Sequence, residues 1–185
     1  MLYLWVIVGL GWFLFLYFDG KKKKIKGLKR QIVEVRMNKK GQIVQMHLCP
    51  PEEINKTQTL LEEAQKLFRT VMDVFVAGDV ERLADLVSPE LWTVLKKDIE
   101  ERKNRKEILE FNLLDFLSVS LLSHIPEKSM TVMFVSEQYQ VLKDAQNLVL
   151  EGEKNQIVRV KDIWTFKKEG KKWRLMEGKS EPFGN

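Results

Sequence analysis

Residues 156–177 read QIVRVKDIWTFKKEGKKWRLME, and this stretch decides the fold class. Gln156–Lys168 and Lys171–Glu177 are two strand-type runs facing each other across Glu169-Gly170, so they predict an antiparallel hairpin. Working upstream, Asp144–Lys154 with Gly152 reads as a loop. Ser129–Leu142 alternates Met130, Val132 and Phe134 with Thr131, Met133 and Val135, the period of two that places neighbours on opposite faces of a sheet. His124–Lys128 with Pro126 reads as a turn, and Phe116–Leu122 as the first strand.

Before the strands the period changes. From Thr57, the residues Leu60, Leu61, Ala64, Leu67, Phe68, Val71, Met72, Phe75 and Val76 take helical spacing. Gly78 sits where a left-handed residue stops that helix, and Asp79 is placed to cap a short second one carrying Leu83, Leu86 and Val87. Ser88-Pro89-Glu90 opens a third helix, with Leu91, Trp92, Leu95 and Ile99 inward. That helix is expected to dissolve in the charged stretch Glu100–Lys106. Three helices and then an antiparallel sheet predict an α+β domain over residues 57–180, with helices on one sheet face.

The N-terminal part has a different chemistry. Residues 2–18 read LYLWVIVGLGWFLFLYF without a charged side chain. At about 1.5 Å rise each, residues 1–18 span about 27 Å of helix, enough for the hydrocarbon core of a bilayer. No positive n-region or small-residue cleavage pattern marks a secretory signal, so the reading is an uncleaved transmembrane anchor. The net charge of +5 comes from the arm at 19–56: Lys21, Lys22, Lys23, Lys24, Lys26, Lys29 and Arg30 come directly after the apolar run. The positive-inside rule then puts the C-terminal side in the cytoplasm of a bacterium, with the N-terminus out, or on the matrix side in a mitochondrion. These cations either bind anionic headgroups, at about 1 kcal/mol each, or only set topology. Within the arm, Ile32–Met37 and Gln42–Met46 flank Asn38-Lys39-Lys40-Gly41 and suggest a hairpin, which Pro50-Pro51 ends. A lone cysteine, Cys49, excludes an intrachain disulfide and a thiolate metal cage.

The order of elements and several residues resemble the Tim44-like domain family. This family includes a peripheral subunit of the mitochondrial inner-membrane protein translocase, bacterial members and a mitochondrial ribosomal relative. The matching residues are Ala77-Gly78-Asp79 with Leu83, Leu86-x-Ser88-x-Glu90-Leu91, and Val132-x-Phe134-x-Ser136-x-Gln138. Glu151-Gly152, Val160-x-Asp162-x-Trp164-Thr165-Phe166 and Trp173-Arg174-Leu175 complete the pattern over roughly residues 57–178. The resemblance implies a curved antiparallel sheet of the cystatin-like or nuclear-transport-factor-two-like type. It also gives Gly78, Asp79 and Asp162 structural parts in the family pattern, and it agrees with an N-terminal membrane segment.

Little in the sequence points to catalysis. Asp115, Glu137 and Asp162 are the acids in or beside strands, and no histidine partners them at a recognisable spacing. Asp162 is expected to satisfy backbone donors or an arginine at a bulge. His47 and His124 are isolated, and no phosphate loop, GxSxG or HExxH is present. No catalytic residue, metal ligand or cofactor is assigned. Phe134, Trp164, Phe166 and Trp173 line an apolar pocket or pack the core.

Three functions stay open. The first is a membrane-anchored interaction module at the inner membrane, gripping anionic lipid and a protein of the translocation or membrane-biogenesis machinery. The second is a ribosome or RNA tether, which would need Lys96-Lys97, Arg102-Lys103 and Arg105-Lys106 to form a free basic patch on a domain that is otherwise close to neutral. The third is a small-molecule pocket in the sheet's concavity.

Overall fold

The computed structural model describes residues 36–37, 43–45, 51–153 and 156–183. The anchor expected at 1–18 and the basic collar from Lys21 to Arg30 lie outside the described residues. Among the described residues, no helix is long and apolar enough to cross a membrane. In the arm, β1 (Arg36–Met37) and β2 (Ile43–Gln45) pair antiparallel, with Arg36 opposite Gln45 and Met37 opposite Ile43.

Helix α1 spans Pro51–Ala77 and so begins at Pro51, not at Thr57. Proline at a first helical position lacks only an N–H that would have no partner there, so Pro51 opens this helix where a breaker was expected. The apolar stripe starts only two turns later, which hides the helix start from a periodicity reading. Leu61, Ala64, Phe68, Val71, Met72, Val74 and Phe75 form the buried stripe. The helix ends as Gly78 demands: φ is +69°, Gly78 N–H donates to Phe75 O, and Asp79 N–H reaches back to Val74 O. Asp79 then caps α2 (Val80–Ala84) by accepting from Arg82 N–H.

Helix α3 (Pro89–Arg105) starts on Ser88, whose hydroxyl accepts from Leu91 N–H at 3.2 Å. It runs through the charged stretch where it was expected to dissolve. The reason is local: Lys96–Glu100, Lys97–Glu101 and Asp98–Arg102 pair one turn apart, and Lys106 closes the helix in the left-handed region.

The sheet contains β3 (Ile108–Ile125), β4 (Ser129–Lys143), β5 (Val149–Glu151), β6 (Val158–Glu169) and β7 (Lys172–Pro182). Its order is β3-β4-β6-β7, all antiparallel, with β5 continuing beside the end of β4 where β6 has diverged. Strand β3 is far longer than the expected Phe116–Leu122. Its register breaks at Leu113/Asp115, Phe116/Ser118 and Leu121/Ser123, and each break shifts the alternation and bends the strand. The turn after it is Pro126–Lys128, leaving His124 in the strand. The last hairpin turns at Gly170-Lys171, with Glu169 opposite Lys172, one residue beyond the expected Glu169-Gly170 pair.

Helix α1 lies on one face of this sheet, and the core fills the space between them. Phe68 stands at its centre, stacked on Trp164 at 4.2 Å between ring centroids. Phe134 is 4.9 Å away and Phe116 5.4 Å away edge-on. The link between α2 and α3 is sewn to β7: Ser88 N–H donates to Leu175 O and Leu175 N–H to Leu86 O, both at 2.8 Å, forming a parallel bridge between Val87 and Leu175.

Candidate functional site

Val160, Asp162, Trp164 and Phe166 alternate buried along β6 with half-exposed Lys161, Ile163 and Thr165. The first set faces α1. Phe134, Trp164 and Phe166 are therefore core residues, packed with Phe68 and Phe116 between the sheet and α1. Trp173 is only partly buried: its indole N–H donates to Glu63 at 3.0 Å, tying β7 to the middle of α1. The space between α1 and the inner face of the sheet is occupied by aromatic rings of the chain itself.

Asp162 is the unusual group on that inner face. It stands between Phe134 on β4 and Ser180 on β7 and is almost fully buried. Ser180 Oγ donates to its Oδ1, while Oδ2 has no hydrogen-bond partner. This replaces the expected backbone donors or arginine: the register places a serine hydroxyl opposite the carboxyl, and the neighbouring cations sit on the other face. Burial pushes the carboxyl up to about 7, against the opposing pull of the Ser180 hydroxyl. Asp162 is therefore a polar brace between β6 and β7.

The basic residues of α3 do not form a free patch. Arg102, 8% exposed, lies 4.7 Å over the Phe75 ring, donates to Phe75 O at 3.2 Å and pairs with Asp98 at 2.9 Å. Lys103 caps Gly78 O at 2.9 Å, and Arg105 pairs with Glu107 at 2.8 Å. These cations hold α1 and α3 together or neutralise nearby acids. The buried role of Arg102 was missed in the sequence because a charged run gives no hint of an aromatic ring packed beneath it.

Two accessible features stand out among the described residues. A shallow cleft of about 160 Å³ between α1 and β3 is lined by Arg69, Met72, Asp73, Phe111, Asn112 and Leu113. The second feature is the end of the sheet where β3 and β6 begin and β4 and β7 finish. The register brings Ile108 opposite Lys143, Val149 opposite Lys143 as well, Val158 opposite Gln138, and Val160 opposite Pro182. Phe183 N–H donates to Arg159 O at 2.9 Å, which keeps its residue at the same end. There Leu148, Val149 and Leu150 are 65%, 53% and 49% exposed, with Ile108, Ile157, Val158 and Phe183 exposed around them. Leu114, next to Leu113 opposite Gln138, is exposed at the level of Val158, and Ile125 is exposed at the other end of the sheet. Three consecutive apolar residues inside a segment read as a loop were the available sign of this surface.

A long helix across one face of a five-stranded antiparallel sheet defines an α+β domain. The chain belongs to the Tim44-like domain family, whose model matches residues 52–180. No curated protein sequence matches it. Among solved structures, the intermembrane space region of the chloroplast protein ARC6 superposes with a TM-score of 0.53 at 12% identity, covering 66% of this chain and 96% of that one. Bd1075 of Bdellovibrio bacteriovorus gives a TM-score of 0.47 at 9% identity, covering 76% of this chain and 46% of that one. At such identities the likeness to ARC6 concerns the fold alone.

Proposed function

We propose that this protein is a membrane-anchored interaction module. Its apolar segment at 2–18 spans an inner membrane, and its Tim44-like domain docks a protein partner on the cytoplasmic or matrix side. The observation that carries the reading is the combination, in one chain, of a family domain over 52–180 with a charge-free apolar run and basic collar upstream. The filled concavity supports a docking surface over a small-molecule pocket. The spent cations of α3 weigh against a ribosome or RNA tether. Lys21–Lys24, Lys26, Lys29 and Arg30 supply contact with anionic headgroups in this reading.

The outer face of the sheet is the natural grip. It presents Met133 opposite Ile163, and Thr131 opposite Thr165 with their hydroxyls 3.2 Å apart. Photo-crosslinkers at Met133 and Ile163 of the full chain, in intact cells, test this by mass spectrometry of the adducts. Translocation or membrane-biogenesis components are expected. Recovery of soluble metabolic enzymes alone would reject the proposal.

A further inference from the structure

We infer that the arm's own hairpin, β1–β2, docks on the β3 side of the outer sheet face and covers it around Ser120 and Val135. The docking needs no bilayer; only its consequence for reach, given below, rests on the proposed anchor.

Burial on the outer face is uneven. Cross-strand partners share a face, so Ser120, Met133 and Ile163 form one rank across β3, β4 and β6, and Ser118, Val135 and Lys161 the next. The rank between them, Val119, Phe134 and Asp162, belongs to the inner face that α1 covers. Met133, Ile163 and Lys161 are half-exposed, as befits an open face. Ser120, by contrast, is 2% exposed and Val135 5%, although Val135 stands outside the core beneath α1. Ser120 has a short side chain on an edge strand, with β4 on one side only. The sheet alone leaves such a side chain open, so another part of the chain lies over it.

The strand β1 is in that place. Apart from its partner β2, it lies mainly against β3, with Cα separations within 8 Å. Face-packed sheets usually keep about 10 Å, and the small side chains of Ser118 and Ser120 let a backbone come closer.

The bulges select a short occupant. The register skips Leu117 and Leu122, so Ser118–Leu121 is an unbroken run between two bulges. A long strand from another molecule would lose its fit at either bulge, whereas β1 has only 2 residues. The hairpin gains too, since two strands alone are marginal in water.

Chain connection puts the hairpin within reach. Glu63 binds Trp173 beside the Gly170-Lys171 turn, and Arg69 lies 4.9 Å over Phe116. Helix α1 therefore starts at the end of the sheet where β3 finishes, on the side of Phe116 that holds Ser118–Leu121. Residues 46–50 extend to about 17 Å between β2 and α1, which keeps the local concentration of the hairpin high. Docking then shortens the tether. Residues 19–50 could extend to roughly 100 Å, but with β1 seated only residues 19–35 remain as spacer, about 55 Å. The hairpin thus limits how far the Met133–Ile163 face stands from the membrane.

The test uses purified full chain in detergent, with Cys49→Ser. Ser120→Cys should react slowly with a water-soluble maleimide, and about tenfold or more faster when residues 31–46 are deleted. Met37→Pro with Val44→Pro, which breaks the hairpin without shortening the chain, should unmask Ser120→Cys in the same way at an unchanged urea midpoint. A phenylene bis-maleimide should join Met37→Cys to Ser118→Cys within one chain, and should not join Met37→Cys to Lys179→Cys. Fast labelling of Ser120→Cys in the intact chain, or equally slow labelling in the deletion and the double-proline variant, overturns the inference. Equal cross-linking to Lys179→Cys, or a product that runs as a dimer, overturns it as well: the first shows a roaming hairpin and the second a contact between copies. None of these outcomes touches the anchor or the partner sought from Met133 and Ile163.

Discussion

The two ends of the same sheet are built from the same strands and both carry ion pairs, but they differ in how much apolar side chain they leave exposed. At one, Lys168 binds the carboxylate of Glu127, donates its backbone N–H to Lys128 O and lies 5.5 Å over the Trp173 ring, which in turn is tied to Glu63. At the other, Leu148–Leu150, Ile157 and Phe183 stand in solvent. Between them runs the aromatic core, which needs neither end. The fold is thus satisfied by a polar, cross-linked end, and the apolar side chains of the opposite end are surplus to it. Exposed apolar residues concentrated at one place mark a surface with a use.

Substitutions can break this comparison in order of effect. Trp164→Ala removes the ring stacked on Phe68 and should cost about 3–5 kcal/mol, read from the urea midpoint of the domain. Next comes a pH effect. Between 3.8 and about 7 the native state keeps the Asp162 proton that the unfolded chain has lost, so this group makes stability fall as pH rises through that window. The loss is on the order of 4 kcal/mol, complete above about pH 7 and absent below the ordinary carboxylate range. Asp162→Asn should flatten the slope and raise the melting temperature at pH 8 above that of the native chain. Glu181, held down at about 2 by Lys161 and Lys179, makes stability rise with pH between about 2 and 4.5 and so overlaps only the lower edge of the window, and His124, lowered by burial, acts in the same opposite sense. The difference between variant and native chain cancels both.

Smaller effects separate the two ends directly. Gly152 at the apolar end and Gly170 at the polar end both have positive φ, at 77° and 61°. A Cβ on Gly170 meets nothing within 4 Å, so Gly170→Ala should cost about 1–2 kcal/mol for backbone strain alone. A Cβ on Gly152 falls on the Gln140 carbonyl oxygen, so Gly152→Ala should cost more and free β5 from β4, visible as faster amide exchange at Val149 and Glu151. The smallest change is expected for Leu148→Ser with Leu150→Ser, within about 0.5 kcal/mol of the native urea midpoint. A large destabilisation there would show that the apolar end belongs to the core after all.

Much of this was legible because burial is periodic where geometry is regular. The stripe of α1, the Gly78 stop, the Ser88 cap and the alternation of β4 and β6 each impose a spacing that the sequence displays. The ends of elements were not legible. A proline such as Pro51 stops one segment and can open the next, and only the packing of α1 on the sheet decides that a helix starts there. The bulges of β3 shift its alternation three times. The accessible surfaces were least visible. Arg102 looks like any helix-surface cation until Phe75 is placed beneath it, and Leu148–Leu150 look like part of a loop until β5 is placed at the margin of the sheet.

The bridge between Val87 and Leu175 has a last consequence, for self-association. It occupies the outward ladder of β7 at Leu175, leaving only the far half of that edge open to an incoming strand. That half carries Lys179 and Glu181, joined with Lys161 in one ionic cluster, and ends at Pro182, which has no N–H to offer. A strand from another molecule would have to dismantle the cluster to gain a few main-chain bonds. The edge is guarded against amyloid-like stacking in the way natural sheets guard themselves, with lysine and proline. Whatever meets the β7 edge is met by side chains and not by lending a strand.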